Sequence, residues 1–405
     1  MAAKLIPGLH LGRSADSAFA LPGWPYFGAE ELEAVELVLR SGKVNYWTGE
    51  EGRKFEQEFA SAAGCPYGVA VANGTVALEL ALRVLGIGPG DEVVTTCRSF
   101  IASASCAIAV GATPIFADVD RESQNVTGAT LRAAMTARTR AIIAVHLAGW
   151  PCDMDPILEL AREFGVPVIE DCGQAHGAIY KGRPVGSMGS VGAFSFCQDK
   201  ILTTAGEGGM ITIQDQALFE AAWAYKDHGK SYDTVYRRKH PPGFRWLSES
   251  FGTNWRMTEV QSAVGRVQLR KLPEWLAIRR RNAGILQDAF ARLPGLRTTA
   301  VSENCGHAFY KYYAFLRPER LRLGWSRDRI METIVARGIP CTVGSCSEIY
   351  LEPAFPRAMR PQHRLPMARE LGETSLMFQV HPTLSEQHMR CMVKAVEESI
   401  VEATV

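Results

Sequence analysis

Between about residues 29 and 215, short apolar, β-branched runs alternate with stretches of 3.6-residue period. No other feature constrains the fold as tightly. The strand-like runs are VVTT (93–96), TPIFADV (113–119), AIIAVH (141–146), VPVIED (166–171), AFSF (193–196) and GMITI (209–213), several of them separated by helical patterns such as MDPILELAREFG (154–165). Strands that alternate with helices imply βαβ units and a largely parallel sheet. The runs lack polar alternation, which implies strands covered on both faces. The segment AEELEAVELVLR (29–40) puts Leu32, Val35 and Leu39 on one face and predicts a surface helix, whereas GTVALELALRVL (74–85) is apolar nearly all round and predicts a buried one.

Further along, 217–260 turns polar and aromatic around Pro241-Pro242-Gly243 and reads as a long irregular excursion. A helical stretch follows over 258–293, interrupted by Pro273, and 300–405 carries its own strand and helix signals. The expected organisation is an N-terminal extension (1–24), a large domain (25–270) and a smaller C-terminal α/β domain (271–405). A chain of 405 residues accommodates this.

The 44 Lys and Arg residues against 43 Asp and Glu give a net charge of +1, which argues against a nucleic-acid surface. The runs Arg237-Arg238-Lys239-His240 and Arg279-Arg280-Arg281 read as solvated faces. Ten dispersed cysteines without a Cys-x-x-Cys pair fit free thiols in a reducing cytoplasm, not a zinc site. The start, MAAKLIPGLHLGRS, has no long apolar run of the signal-peptide kind. Ser99 to Ala117 is free of charge, but its serines, Gly111 and Pro114 predict a helix, a turn and a strand, not a membrane span.

Three places can carry chemistry. Asn73-Gly74-Thr75 opens the buried helix, where free amides and the positive dipole end suit a phosphate. Asp171 follows an apolar strand, at the end of a sheet where α/β proteins collect ligands. Glu170, Asp171 and His176 could suggest a metal, but a further ligand with helix or loop spacing is missing. Lys200 stands after AFSF and before a Gly-rich turn, with Ser195 just upstream, where an amine can meet a carbonyl. Together with the ring of Phe100, these residues form a set suited to pyridoxal 5'-phosphate (PLP). That cofactor needs an anion cradle, a stacking ring, a carboxylate at its pyridine nitrogen and an amine for its aldehyde.

The ordered segments NGTVALELAL, GDEVVTTCRSFIASA, ATPIFADVD, VIEDCGQAHGA, SFCQDKILTTAGEGG and FGTNWRMTEVQSAVGRVQL resemble the DegT/DnrJ/StrS sugar aminotransferases, PLP enzymes of the aspartate-aminotransferase fold (fold type I). The resemblance implies a three-layer αβα sandwich with a smaller C-terminal domain. It implies that Lys200 bonds the cofactor and later shuttles a proton, that Asp171 pairs with the pyridine nitrogen, and that Gln174 meets the phenolic oxygen. Phe100 would stack on the ring, and Gly74, Thr75 and Ser195 would hold the phosphate. Asn254, within Gly-x-Asn-x-Arg, would reach the phosphate of the other subunit, which implies a homodimer with shared active sites. The implied reaction moves an amino group from an amino acid, L-glutamate in this family, to a nucleotide-linked keto-deoxy sugar, with PLP cycling through pyridoxamine 5'-phosphate.

Two departures bear on this. Cys197 stands where many members have His, and Gln198 is similar to the branch that acts on keto-cyclitols. Some members replace the lysine by His and become dehydratases, whereas Lys200 is retained. The alternatives are therefore a keto-cyclitol aminotransferase, or a non-catalytic regulator of the same fold. The regulator is disfavoured by the retention of Lys200, Asp171 and Gln174 together.

Overall fold

The computed structural model describes residues 21–405. Most of the expected N-terminal extension (1–20 of 1–24) therefore lies outside the described residues. The centre is a seven-stranded sheet: β1 (Tyr67–Val71), β2 (Glu92–Thr96), β3 (Thr113–Ala117), β4 (Thr139–Val145), β5 (Val168–Asp171), β6 (Val191–Ser195) and β7 (Gly209–Ile213). Its order is β1-β7-β6-β5-β4-β2-β3, and only β7 runs against its neighbours. Every strand-like run expected from 93 onward is present. The sequence reading passed over β1, YGVAV, where Gly68 weakens the strand signal.

Helices cover both faces. On one, Ala77, Leu80 and Ala81 of α3 (Gly74–Val84), Cys106 and Ala107 of α4 (Ala102–Ala109) and Trp223 of α7 (Gln216–Lys226) pack on Val93, Ile143, Ile169 and Ile211. On the other, Phe55 and Phe59 of α2 (Glu51–Ala62) meet Ala70, Phe194 and Met210, while Leu131 of α5 (Gly128–Ala134) and Ile157 and Leu160 of α6 (Met154–Phe164) meet Val94, Ile142 and Val168. This is an αβα sandwich with strands buried on both sides, as the unbroken apolar runs require. The uncharged stretch 99–117 resolves into α4, a turn at Gly111 (φ +85°) and β3. Among the described residues no helix is long and apolar enough to cross a membrane.

Four expectations need correction. In α1 (Ala29–Ser41) the face carrying Leu32 and Leu39 is exposed, at 66% and 58%, while Val38 and Glu31 turn inward. Glu31 is drawn in by Lys271, whose ammonium sits 2.9 Å from its carboxylate. The region 217–260 is not irregular throughout: it contains α7 and α8 (Tyr232–Tyr236), whose amides at Leu218 and Thr234 are capped by the side chains of Asp215 and Ser231. Pro273 does not interrupt its helix. The 32-residue α9 (Glu259–Phe290) runs through it, and packing against α1, α2 and α12 (Glu386–Ala403) outweighs the one lost amide bond. Finally, Arg279 is no solvated charge. It is buried, donates to the carbonyls of Phe309 and Tyr310 at 3.3 Å, and lies over the Trp24 ring.

The far end of α9 supplies Ala283, Leu286 and Phe290 to a second core. That core surrounds an antiparallel sheet of β8 (Leu296–Arg297), β9 (Tyr312–Leu316) and β10 (Ser375–Phe378), flanked by α10 (Arg327–Ala336) and α12. The remaining helix, α11 (Pro366–Thr374), contributes Ala368 and Leu371 to a cluster that joins the two sheets through Phe116, Leu147, Tyr313 and Tyr350.

Three buried histidines set an acid limit on this fold. Burial draws His176, His307 and His381 each down to about 3, helped by Lys200 at the first, Arg280 at the second and Arg279 at the third. An unfolded histidine titrates near 6.5, so below that pH the unfolded chain binds three more protons than the folded one. Stability is fully present above about 6.5 and falls as the pH drops toward 3, with a slope on the order of 4 kcal/mol per unit near pH 5. Urea melts from pH 7.5 to 5 should show this decline, and His307→Gln should remove about a third of it. A flat profile would contradict the reading.

Candidate active site

The carboxyl ends of the parallel strands open into one cleft of about 930 Å³. Asn73, Gly74, Thr75, Phe100, Asp171, Gln174, Ser195 and Lys200 all line it. The chain thus brings together eight groups spread over more than a hundred residues, because each stands at or just past the end of a strand that stops at this edge.

The anion cradle is built first. Asn73 caps α3 by accepting the Val76 amide at 3.0 Å, which leaves the Gly74 and Thr75 amides at the helix tip without a protein acceptor among the described residues. A Cβ on Gly74 would fall 2.5 Å from the Ser195 Cβ, so only glycine lets the helix tip sit this close to the exit of β6. The Thr75 and Ser195 hydroxyls complete the lining.

Asp171 ends β5. Its Oδ2 accepts the Ser103 hydroxyl at 2.7 Å and its Oδ1 accepts the Gly173 amide at 3.1 Å, so the carboxylate is aimed before any ligand arrives. Ser103 is itself tied to Ser99 at 2.8 Å. Gln174 accepts the Ala148 amide through Oε1 at 2.8 Å, which commits its oxygen and leaves its NH2 as the group to offer a ligand. Phe100 is 66% exposed at the mouth and makes no ring contact with described residues.

Lys200 sits in a turn whose amide returns to the Cys197 carbonyl at 3.0 Å, and its own carbonyl accepts the Trp24 indole N–H at 2.8 Å. Its ammonium lies 3.9 Å from Asp199 and 5.0 Å from the centre of the Tyr310 ring, with the side chain 17% exposed. Downstream, Ala205 (φ +62°) and Gly206 (φ +122°) reverse the chain into β7.

Asn254 is the exception. It is exposed and outside the cleft, paired with Asp227 across an isolated bridge. The acids considered for a metal also part company. Asp171 faces the cleft, whereas Glu170 is buried and accepts His146 at 3.0 Å and the amides of Gly186, Met188 and Gly189 at 2.7–2.9 Å. His146 accepts the Cys152 amide on its other nitrogen and the Cys172 thiol donates to the Glu170 carbonyl at 3.6 Å, so all three groups are engaged in hydrogen bonds. Burial would raise the Glu170 carboxyl, but His146 and the amides hold it below the usual value. His176 is enclosed between Phe194 and Phe196.

Sequence reasoning missed Ser103, Asp199, Tyr310 and Lys311. Tyr310 donates its hydroxyl to Asp199 and, with Lys311, forms a wall of the cleft. The available signal was a lysine inside the otherwise aromatic run YKYYAFL.

The sequence profile of the DegT/DnrJ/EryC1/StrS aminotransferase family matches residues 25–397. The chain belongs to the DegT/DnrJ/EryC1/StrS aminotransferases. It is similar to the GDP-perosamine synthase of Caulobacter vibrioides, 38% identical over 360 residues, 88% of this chain and 92% of that protein. The X-ray structure of an aminotransferase from Psychrobacter cryohalolentis is 52% identical with a TM-score of 0.93, covering 95% of this chain and 99% of that one. A solved structure from Streptococcus pneumoniae in its PLP form is 25% identical with a TM-score of 0.84, covering 96% and 100%. DegT/DnrJ/EryC1/StrS aminotransferases are PLP-dependent, and so is this enzyme. The residues fit that cofactor: unclaimed amides at a helix tip, an aimed carboxylate, an amide NH2 and a lysine line one cavity.

Proposed function

We propose that this aminotransferase moves an amino group from L-glutamate to the ketone of a nucleotide-linked keto-deoxy sugar, in amino-sugar biosynthesis. The observation that carries the reading is the convergence of Asp171, Gln174, Lys200 and the Gly74–Thr75 helix tip in one cleft. Its volume, about 930 Å³, leaves room for a sugar beside the cofactor. A relative named for a GDP-linked amino sugar supports the nucleotide-linked class.

In this reading the Gly74 and Thr75 amides, with the Thr75 and Ser195 hydroxyls, take the cofactor's phosphate. Asp171 keeps a proton on the ring nitrogen, Gln174 donates its NH2 to the phenolic oxygen, and Phe100 covers the ring. Bound PLP supplies an electron sink for the pair left when an α-proton is removed. Lys200 bonds the cofactor at rest and, once released by the donor, carries the proton between the substrate carbon and the cofactor. Donor amine becomes keto acid, and acceptor ketone becomes amine.

Asn254 acts from the second subunit of a homodimer. Its segment carries exposed apolar side chains, Phe244 at 78%, Trp246 at 80% and Phe251 at 99%, which supports burial against another copy. The substrate test is to prepare the pyridoxamine form and add a panel of nucleotide-linked keto sugars and keto-cyclitols. Return of PLP absorbance with a keto sugar is expected. Return with keto-cyclitols alone would move the enzyme to aminocyclitol chemistry.

A further inference from the structure

One cation in the cleft has no ion-pair partner among the described residues. Lys311 lines the same wall as Tyr310, and its ammonium lies 4.8 Å from the Tyr310 ring centre, the ring that Lys200 approaches to 5.0 Å. Among the described residues no carboxylate comes within ion-pair distance of it and no hydrogen-bond acceptor engages it. Burial draws it down to about 8, Asp199 opposing and Arg279 and Lys200 adding to the fall.

Its backbone is held in place by its neighbour. Asp199 holds the Tyr310 hydroxyl, and Arg279 grips the Phe309 and Tyr310 carbonyls at 3.3 Å. The Tyr310 amide donates to the Ala148 carbonyl at 2.8 Å, and Ala148 is the residue whose own amide fixes Gln174. The backbone beside Lys311 is therefore registered to the cleft through one backbone hydrogen bond and one from backbone to the Gln174 side chain. An ammonium half-buried in a cleft wall, with no acceptor among the described residues, is left available to an anion that arrives with a ligand.

The distance to the reacting centre decides which anion. A donor's α-carboxylate is bonded directly to the reacting carbon. The diphosphate of a nucleotide sugar stands several bonds from its ketone, past the ring and the anomeric oxygen. Only the first must lie beside Lys200. Resting on the aminotransferase reading above, we infer that Lys311 is the donor-recognition residue, its ammonium pairing with the α-carboxylate of the amino-acid donor and not with the acceptor.

The test compares L-glutamate with 4-aminobutyrate, which lacks only the α-carboxylate, on PLP-loaded wild type, Lys311→Met and Lys311→Arg. Readouts are the rate of PLP bleaching in the donor half-reaction and the calorimetric Kd of α-methyl-L-glutamate, which binds without losing an α-proton. Wild type should prefer glutamate. Lys311→Met should weaken α-methyl-L-glutamate on the order of 10- to 100-fold and erase the preference over 4-aminobutyrate. Lys311→Arg should recover part of it, and amination of the acceptor by the pyridoxamine form should stay within about threefold. Unchanged glutamate binding in Lys311→Met, or a loss confined to the acceptor half-reaction, overturns the assignment alone. Failure of wild type to take up PLP or to react with any amino acid overturns the underlying reading instead.

Discussion

Replacing Lys200 with arginine is expected to slow transamination by on the order of 10⁴-fold or more while leaving the protein folded. Arginine keeps the charge but stays protonated, so it neither bonds a carbonyl carbon nor passes a proton. The structural cost is small. Among the described residues the ammonium has Asp199 at 3.9 Å as its ion-pair partner and the face of Tyr310 beside it, while the turn is held by backbone contacts and by Trp24. Urea midpoints should therefore change by less than about 1 kcal/mol equivalent. A variant retaining more than a tenth of the wild-type kcat would show that another group moves the proton.

Asp171→Asn should cost on the order of 10²- to 10⁴-fold in kcat, a larger effect than any change at Thr75 or Ser195. The amide is isosteric and keeps one acceptor for the Ser103 hydroxyl or the Gly173 amide, so the strand end survives. It cannot hold a proton on a ring nitrogen, and each unit by which that nitrogen's pKa falls is worth about 1.4 kcal/mol of electron-sink stabilisation. Loss of kcat with intact PLP absorbance is the expected pairing. A kcat within threefold of wild type would remove Asp171 from its assigned role.

The parts of the site that were legible stand next to a strong local pattern. Asp171 and Ser195 end apolar runs, Lys200 stands in the turn after one, and Gly74-Thr75 opens an apolar helix. Ser103 was not legible, because a serine among small residues of α4 looks like any other, and its meaning comes only from facing Asp171 across the sheet. Tyr310 and Lys311 reach the cleft from 111 residues beyond Asp199, through a contact between two sheets that no local pattern encodes. The same limit explains α1. The surface helix was legible, but the side it turns inward is set by the ion pair of Glu31 with Lys271 on α9. Pro273 misled because local propensity forbids what packing along α9 supplies.

The central claim is that one lysine of this cleft carries the cofactor. It is tested most directly by reducing the PLP-loaded holoenzyme with borohydride, digesting it and locating the pyridoxyl group by mass spectrometry. The group is predicted on the peptide containing Lys200. A label on Lys311 or any other lysine, or no label on a protein saturated with PLP, would contradict the account.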